Sequence, residues 1–153
     1  MKFYLAGPFR PIEKNGKQYS DWREYIKAKV KNHKFIDPRN NNQSCPATFT
    51  NQDMESVINS EGVFLYRPNI GEIIGGAWEH GIACGATKCG KKIPTIYVDE
   101  KSFPFPILTA SAKRTFTNLD AAVIYLNFLK SWDKEFEAIY KYLDWENSAS
   151  KQK

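Results

Sequence analysis

Apolar positions along this chain keep two rhythms in turn. Short runs of β-forming residues stand at 2–6, 34–37, 62–66, 93–98 and 114–117, and each reads as a strand. Turn chemistry closes the first three: Gly7-Pro8, Pro38 and Arg67-Pro68. The third run, GVFLY, is apolar without alternation, as a strand buried on both faces requires. Between the runs the spacing becomes helical. Trp22, Tyr25, Ile26 and Val30 predict a helix from 22 to about 32, capped by Ser20 or Asp21. Met54, Val57 and Ile58 predict a second over 51–59, and a third follows Gly75-Gly76 to about 88, with Gly90 as its C-cap. Pro104 and Pro106 leave room for one short helix before 112. Asn118 or Asp120 caps a helix to about 130, and Trp132, Phe136, Ile139, Tyr140 and Leu143 stripe a last one over 132–145. Residues 9–20 and 39–50 are polar and read as loops, and 146–153 reads as a frayed tail.

Strand and helix alternate about five times, which argues for a parallel sheet with helices on both faces. Crossovers in such sheets are right-handed. The expected fold is α/β: a flavodoxin-like three-layer sandwich around a parallel five-stranded sheet, in the order 2-1-3-4-5. Residues 1–145 form a single domain in this reading, and 146–153 the tail. The order puts the switch point between the first and third strands, where such folds bind ligands. Gly7, Pro8, Phe9 and Arg10 follow one of those strands, and Asn69 follows the other.

The stretch NIGEIIGGAWEHGIACGATKCGK, residues 69–91, lies beside that crevice. Gly75 and Gly76 let backbone approach a ligand closely, and Glu79 would enter the pocket at the start of a helix. Taken alone, an ordinary amphipathic helix with a solvated acid explains the stretch as well. Asp53, on the preceding helix, can supply a second carboxyl group, as glycosidic-bond cleavage requires. A surface acid near a helix N-terminus is its plainer reading.

Composition narrows the classes. A chain of 153 residues supports one sizeable core. Aromatic content of 14% is high, and aromatic surface often lines ligand sites or subunit contacts. The formal net charge of +5 comes mostly from scattered lysines. Lys27, Lys29, Lys31 and Lys34 read as one solvated helix face, so no nucleic-acid polymer is expected as a partner. The positive balance still favours a small anionic substrate such as a nucleotide. The three cysteines include no CxxC pair and read as reduced thiols. His33 and His80 lack metal-ligand spacing, so no metal is expected. No GxGxxG follows the first strand, and 71–76 lacks the Lys-Ser/Thr ending of a phosphate loop, so no cofactor is expected either. The N-terminal apolar run is too short for a secretory signal and no run approaches membrane-spanning length; a cytoplasmic chain without membrane contact is expected.

Five segments then match a family in order. FYLAGP (3–8), DWRE (21–24), FIDPR (35–39), GGAWEHGIA (75–83) and GKKIP (90–94) resemble elements of the nucleoside 2-deoxyribosyltransferases and the related deoxynucleoside monophosphate N-glycosidases. The resemblance covers about two thirds of the chain, up to Val98. It implies that Glu79 is the nucleophile on the sugar's anomeric carbon, with Tyr4 orienting its carboxylate and Asp53 handling the base's proton. Gly7, Pro8, Phe9 and Arg10 take the place of the loop over the sugar's 5′ end, where an arginine meets phosphate in the monophosphate-cleaving branch. A homodimer or higher homo-oligomer with pockets near the interface is implied as well. Ser111 takes the inter-subunit place by position only.

The chain departs from that pattern in three places. Ile73 stands where the transferases carry an aspartate about six residues before the nucleophile, and Glu72 is the nearest substitute. Ser60-Glu61 replaces an acid pair near the third strand, and the C-terminal helix is longer than the transferases' short ending. Trp22 is either core or a wall of the base pocket. Arg23 reads as the partner of a surface acid. Arg39 is either solvated or turned toward base or phosphate, and Asn69 sits where strand ends contact ligands. The leading expectation is a transferase acting through a glycosyl-Glu79 intermediate. A hydrolase of nucleoside 5′-monophosphates and a non-catalytic nucleotide-binding or sensing module are the alternatives.

Overall fold

A computed structural model describes residues 1–8, 13–14, 17–18, 21–41, 44–69 and 73–150. The sheet is built from β1 (Lys2–Ala6), β4 (Lys34–Ile36), β5 (Gly62–Arg67), β6 (Thr95–Asp99) and β7 (Arg114–Phe116). Its order is β4-β1-β5-β6-β7, and all four pairings are parallel. This is the flavodoxin-like order 2-1-3-4-5 expected from the alternation of elements. β2 (Glu13–Lys14) and β3 (Lys17–Gln18) pair as a small antiparallel hairpin within the stretch read as loop.

The helices are α1 (Trp22–Lys29), α2 (Pro46–Ile58), α3 (Ile74–Lys88), α4 (Pro106–Ser111), α5 (Leu119–Phe128) and α6 (Glu135–Ser150). Asp21 caps α1 by accepting from the Arg23 amide at 3.0 Å, and Asn118 caps α5 by accepting from the Ala121 amide at 2.8 Å. α2 begins at Pro46, ahead of the expected start at 51. The proline that argued for a loop sits in the first turn, where a missing N–H costs nothing. α6 carries helix through the stretch read as a tail, to Ser150. Among the described residues, no helix is long and apolar enough to cross a membrane.

Strand alternation sorts the core into two layers. Phe3, Leu5, Phe64, Tyr66, Ile96 and Val98 pack with α1, α5 and α6 on one face. Tyr4, Ala6, Val63, Leu65 and Tyr97 pack with Val57, Ala83 and Leu108 on the other. The second layer bears on the site, because α2 and α3 pack against each other there.

Candidate active site

Tyr4 is a β1 residue with no exposed surface, and its period-2 neighbours fix which layer it faces. Its hydroxyl donates to Glu79 Oε1 at 2.5 Å. Glu79 is in the second turn of α3 and Asp53 is on α2, and they are only 7% and 3% exposed. Asn41, which ends a single 3₁₀ turn after β4, donates from Nδ2 to Asp53 Oδ1 at 2.7 Å. Asp53 is also close enough to the Tyr4 hydroxyl for each to shift the other's ionisation. The structure therefore brings together Tyr4, Asp53 and Glu79, which lie on three different elements.

Two glycines allow close packing here, Gly7 against β5 and Gly76 against β5 and the end of β1. Gly7 has φ +145°, and a Cβ on it would stand 2.7 Å from the Tyr66 carbonyl oxygen. A Cβ on Gly76 would meet Leu65 Cδ1 at 2.7 Å and the Gly7 nitrogen at 3.4 Å. The first turn of α3 thus rests on the chain leaving β1, and Glu79 follows Gly76 on the same helix face. Gly75 plays no such part, since a Cβ there would meet nothing within 4 Å.

Burial dominates the electrostatics. It pushes the Glu79 carboxyl up to about 8, with the nearby Asp53 charge acting in the same direction. The Tyr4 hydrogen bond and the Arg23 charge oppose this without cancelling it. Burial likewise raises Asp53, against the Asn41 and Tyr4 hydrogen bonds. Burial and the Glu79 charge lift Tyr4 far above the usual phenol range, so it stays a neutral donor. It has one proton to give and two carboxyl groups beside it. The site is thus an acid pair that keeps a proton near neutrality, next to a fixed donor.

The other predicted residues fall in different places. Pro8 offers its carbonyl to Arg23 Nη1 at 2.5 Å and to Trp22 Nε1 at 3.4 Å. Trp22 lies in the opposite core layer from Tyr4, with ring centroids 6.3 Å from Phe64 and 5.1 Å from Tyr66, so it is core and not a wall beside Glu79. Arg39 pairs with Asp21, Glu24 and Asp37. Arg23 is not a surface partner either: it is 1% exposed and meets buried Asp37 at 3.6 Å. Asn69 is exposed in the bend after β5. Ser111 ends α4, where its hydroxyl donates to the Ile107 carbonyl at 2.6 Å and lies 2.7 Å from His80 Nε2. It ties α4 to α3 within the same chain. His80 is itself buried and reaches Thr95 Oγ1 at 2.9 Å.

Ile73 is a buried apolar residue at the N-cap of α3 and joins the core below Glu79. Ser60 and Glu61 precede β5, at the sheet edge opposite the site, where Ser60 bonds the Val57 carbonyl and Glu61 accepts from the Lys2 amide. Phe9, Arg10 and Glu72 lie outside the described residues. Asn41 and Arg23 are the neighbours the sequence reading missed. Asn41 sits in a run of three asparagines that signals only a turn. Arg23 is a charge on a helix, which patterning assigns to solvent.

No protein-family model matches the chain, and no curated protein matches it in sequence. Solved structures do match. A 2-deoxyribosyltransferase of Bacillus psychrosaccharolyticus superposes with a TM-score of 0.60 at 19% identity, over 80% of this chain and 90% of that one. A 2-deoxyribosyltransferase of Leishmania mexicana does so with a TM-score of 0.53 at 19% identity, over 82% of this chain and 96% of that one. At this identity the likeness is one of fold.

Proposed function

We propose that this chain is a nucleoside 2-deoxyribosyltransferase-like enzyme, which cleaves the N-glycosidic bond of a (deoxy)nucleoside and transfers the sugar through a covalent glycosyl-Glu79 intermediate. The observation that carries the reading is the buried contact of Tyr4, the middle residue of β1, with Glu79, with Asp53 beside it and the first turn of the Glu79 helix resting on the chain that leaves β1. A sheet position there is where α/β folds of this order bind ligands. The fold shared with two 2-deoxyribosyltransferases supports it.

In this mechanism the ionised Glu79 carboxylate attacks the anomeric carbon as the carbon–nitrogen bond breaks. Near neutrality the acid pair holds one proton, and attack uses the form in which Asp53 carries it and Glu79 is ionised. The base leaves with the bonding electrons and takes that proton from Asp53. Glu79, itself buried, stabilises the oxocarbenium charge that builds in the transition state. Tyr4 occupies Oε1 and so presents Oε2 to the sugar. An incoming base then attacks the same carbon, the ester bond to Glu79 breaks, and Asp53 takes up the proton that base gives up. Gly7 and Pro8 line the sugar side. Neither a metal nor a cofactor has a part in these steps.

The test is to incubate the chain with deoxynucleosides and deoxynucleoside monophosphates, with and without a second free base. Base exchange is the expected result. Free base alone would assign a hydrolase, and binding without turnover a sensing module. A homodimer is proposed as the assembly. Ile74, Trp78, Phe103 and Ile107, exposed on and beside α3 and α4, offer it an apolar surface. Light scattering should give twice the chain mass, and a monomer at working concentration would refute it.

A further inference from the structure

We propose that Arg23 is a positioning residue of this site, whose guanidinium fastens the end of β1 so that Gly7 and Pro8 form a fixed wall beside Glu79. The inference rests on the glycosyl-transfer reading for its consequence, and on geometry for the fastening itself.

β4 stops at Ile36, opposite Tyr4, so the last residues of β1 have no strand partner on that side. Gly7 then turns the chain away with φ +145°. Backbone carbonyls left in that gap need donors. Arg23 supplies them: Nη1 donates to the Pro8 carbonyl at 2.5 Å, and Nη2 donates to those of Gly7 at 3.0 Å and Leu5 at 3.4 Å. One planar fork thus replaces the missing strand.

The fork is itself held in place. Its Nε faces Asp37 Oδ1 at 3.6 Å, and the guanidinium carbon lies 4.3 Å from the Trp22 ring centre. Asp37 is gripped in turn by Lys27 Nζ at 2.6 Å and by Arg39. Burial works against the Asp37 charge, but the Arg39 and Lys27 hydrogen bonds outweigh it and hold the carboxyl well below its usual range. The support therefore stays ionised, and this is the work that Arg39 does in the fold. At 1% exposure, an arginine carries a desolvation penalty that an apolar side chain of similar volume would not. The wall it holds is the return on that penalty. Its charge also favours the ionised forms of both Glu79 and Asp53.

Arg23→Lys keeps a cation opposite Asp37 but loses the fork, while Arg23→Met loses both. In the full chain, Arg23→Lys is expected to raise KM at least tenfold for the best deoxynucleoside and to lower kcat much less. Exchange of the Gly7 amide should speed up at least tenfold, with the Phe64 and Ile96 amides unchanged. Arg23→Met should in addition move the acid limb of the kcat/KM profile to higher pH. A KM within twofold of wild type, or Gly7 exchange rising only in step with Phe64 and Ile96, would reduce Arg23 to a structural residue and overturn the proposal. If the wild-type chain turns over no nucleoside, the proposed function fails, and the exchange ratio of Arg23→Lys alone decides whether the fastening exists. Should Arg23→Met not fold, Arg23→Lys carries both readouts.

Discussion

Glu79→Gln is expected to leave a folded chain with no measurable base exchange, a loss on the order of 10⁴-fold or more in kcat. The amide is nearly isosteric and can still accept from Tyr4 through its oxygen. It cannot form a glycosyl ester, and it carries no negative charge to oppose the oxocarbenium ion. Wild-type enzyme mixed with a slow deoxynucleoside analogue should gain the mass of one sugar at the peptide bearing residue 79, and the variant should gain none. A variant that retains a tenth of the wild-type rate would end the covalent mechanism.

The same substitution has an opposite effect on stability. Folded, the Glu79 carboxyl titrates at about 8, against an ordinary value of 4.5. Between those two pH values the folded chain binds a proton that the unfolded chain has released, so stability falls as pH rises across the window. Below 4.5 both states are protonated and the contribution disappears. At roughly 1.4 kcal/mol per pH unit, the window sets a ceiling of about 5 kcal/mol. Glu79→Gln removes this titration and should melt several degrees above wild type at pH 8, with the gap closing toward pH 4.5. The groups facing Glu79 are Tyr4, Asp53 and Arg23, and all of them remain in the variant. Melting curves that run parallel across this range would contradict the burial argument. Stability given up at a reactive group is a familiar cost of function.

Much of the scaffold was legible because parallel strands buried on both faces leave unbroken apolar runs. GVFLY and TIYV cannot belong to an exposed element, and β5 and β6 emerge from them nearly without exposure. The helix ends were less legible. Pro46 argued for a loop because a proline looks alike in a loop and in a first helical turn, and a polar C-terminal stretch gives no sign that α6 continues through it. In the site, Tyr4, Asp53 and Glu79 came from motif resemblance, and the structure brings them into one group. For Trp22 and Arg39 the sequence leaves two readings open, because a helix residue's core layer and an arginine's partners depend on contacts distant in sequence. Arg23 was assigned to the surface because a charged helix residue is outward by default, and only the gap left by short β4 explains why it turns in.

The Tyr4 hydroxyl and the Glu79 carboxyl are carried by a central strand paired on both sides and a helix of 15 residues, while Gly7, Pro8 and Asn41 belong to connections. On the proposed function, the bond-making groups therefore sit on regular elements and the sugar-side wall on a connection. Pro8 is then the position at which substitutions would alter what is exchanged with the bond-making groups left in place, since Gly7 has no room for a side chain and Asn41 holds Asp53.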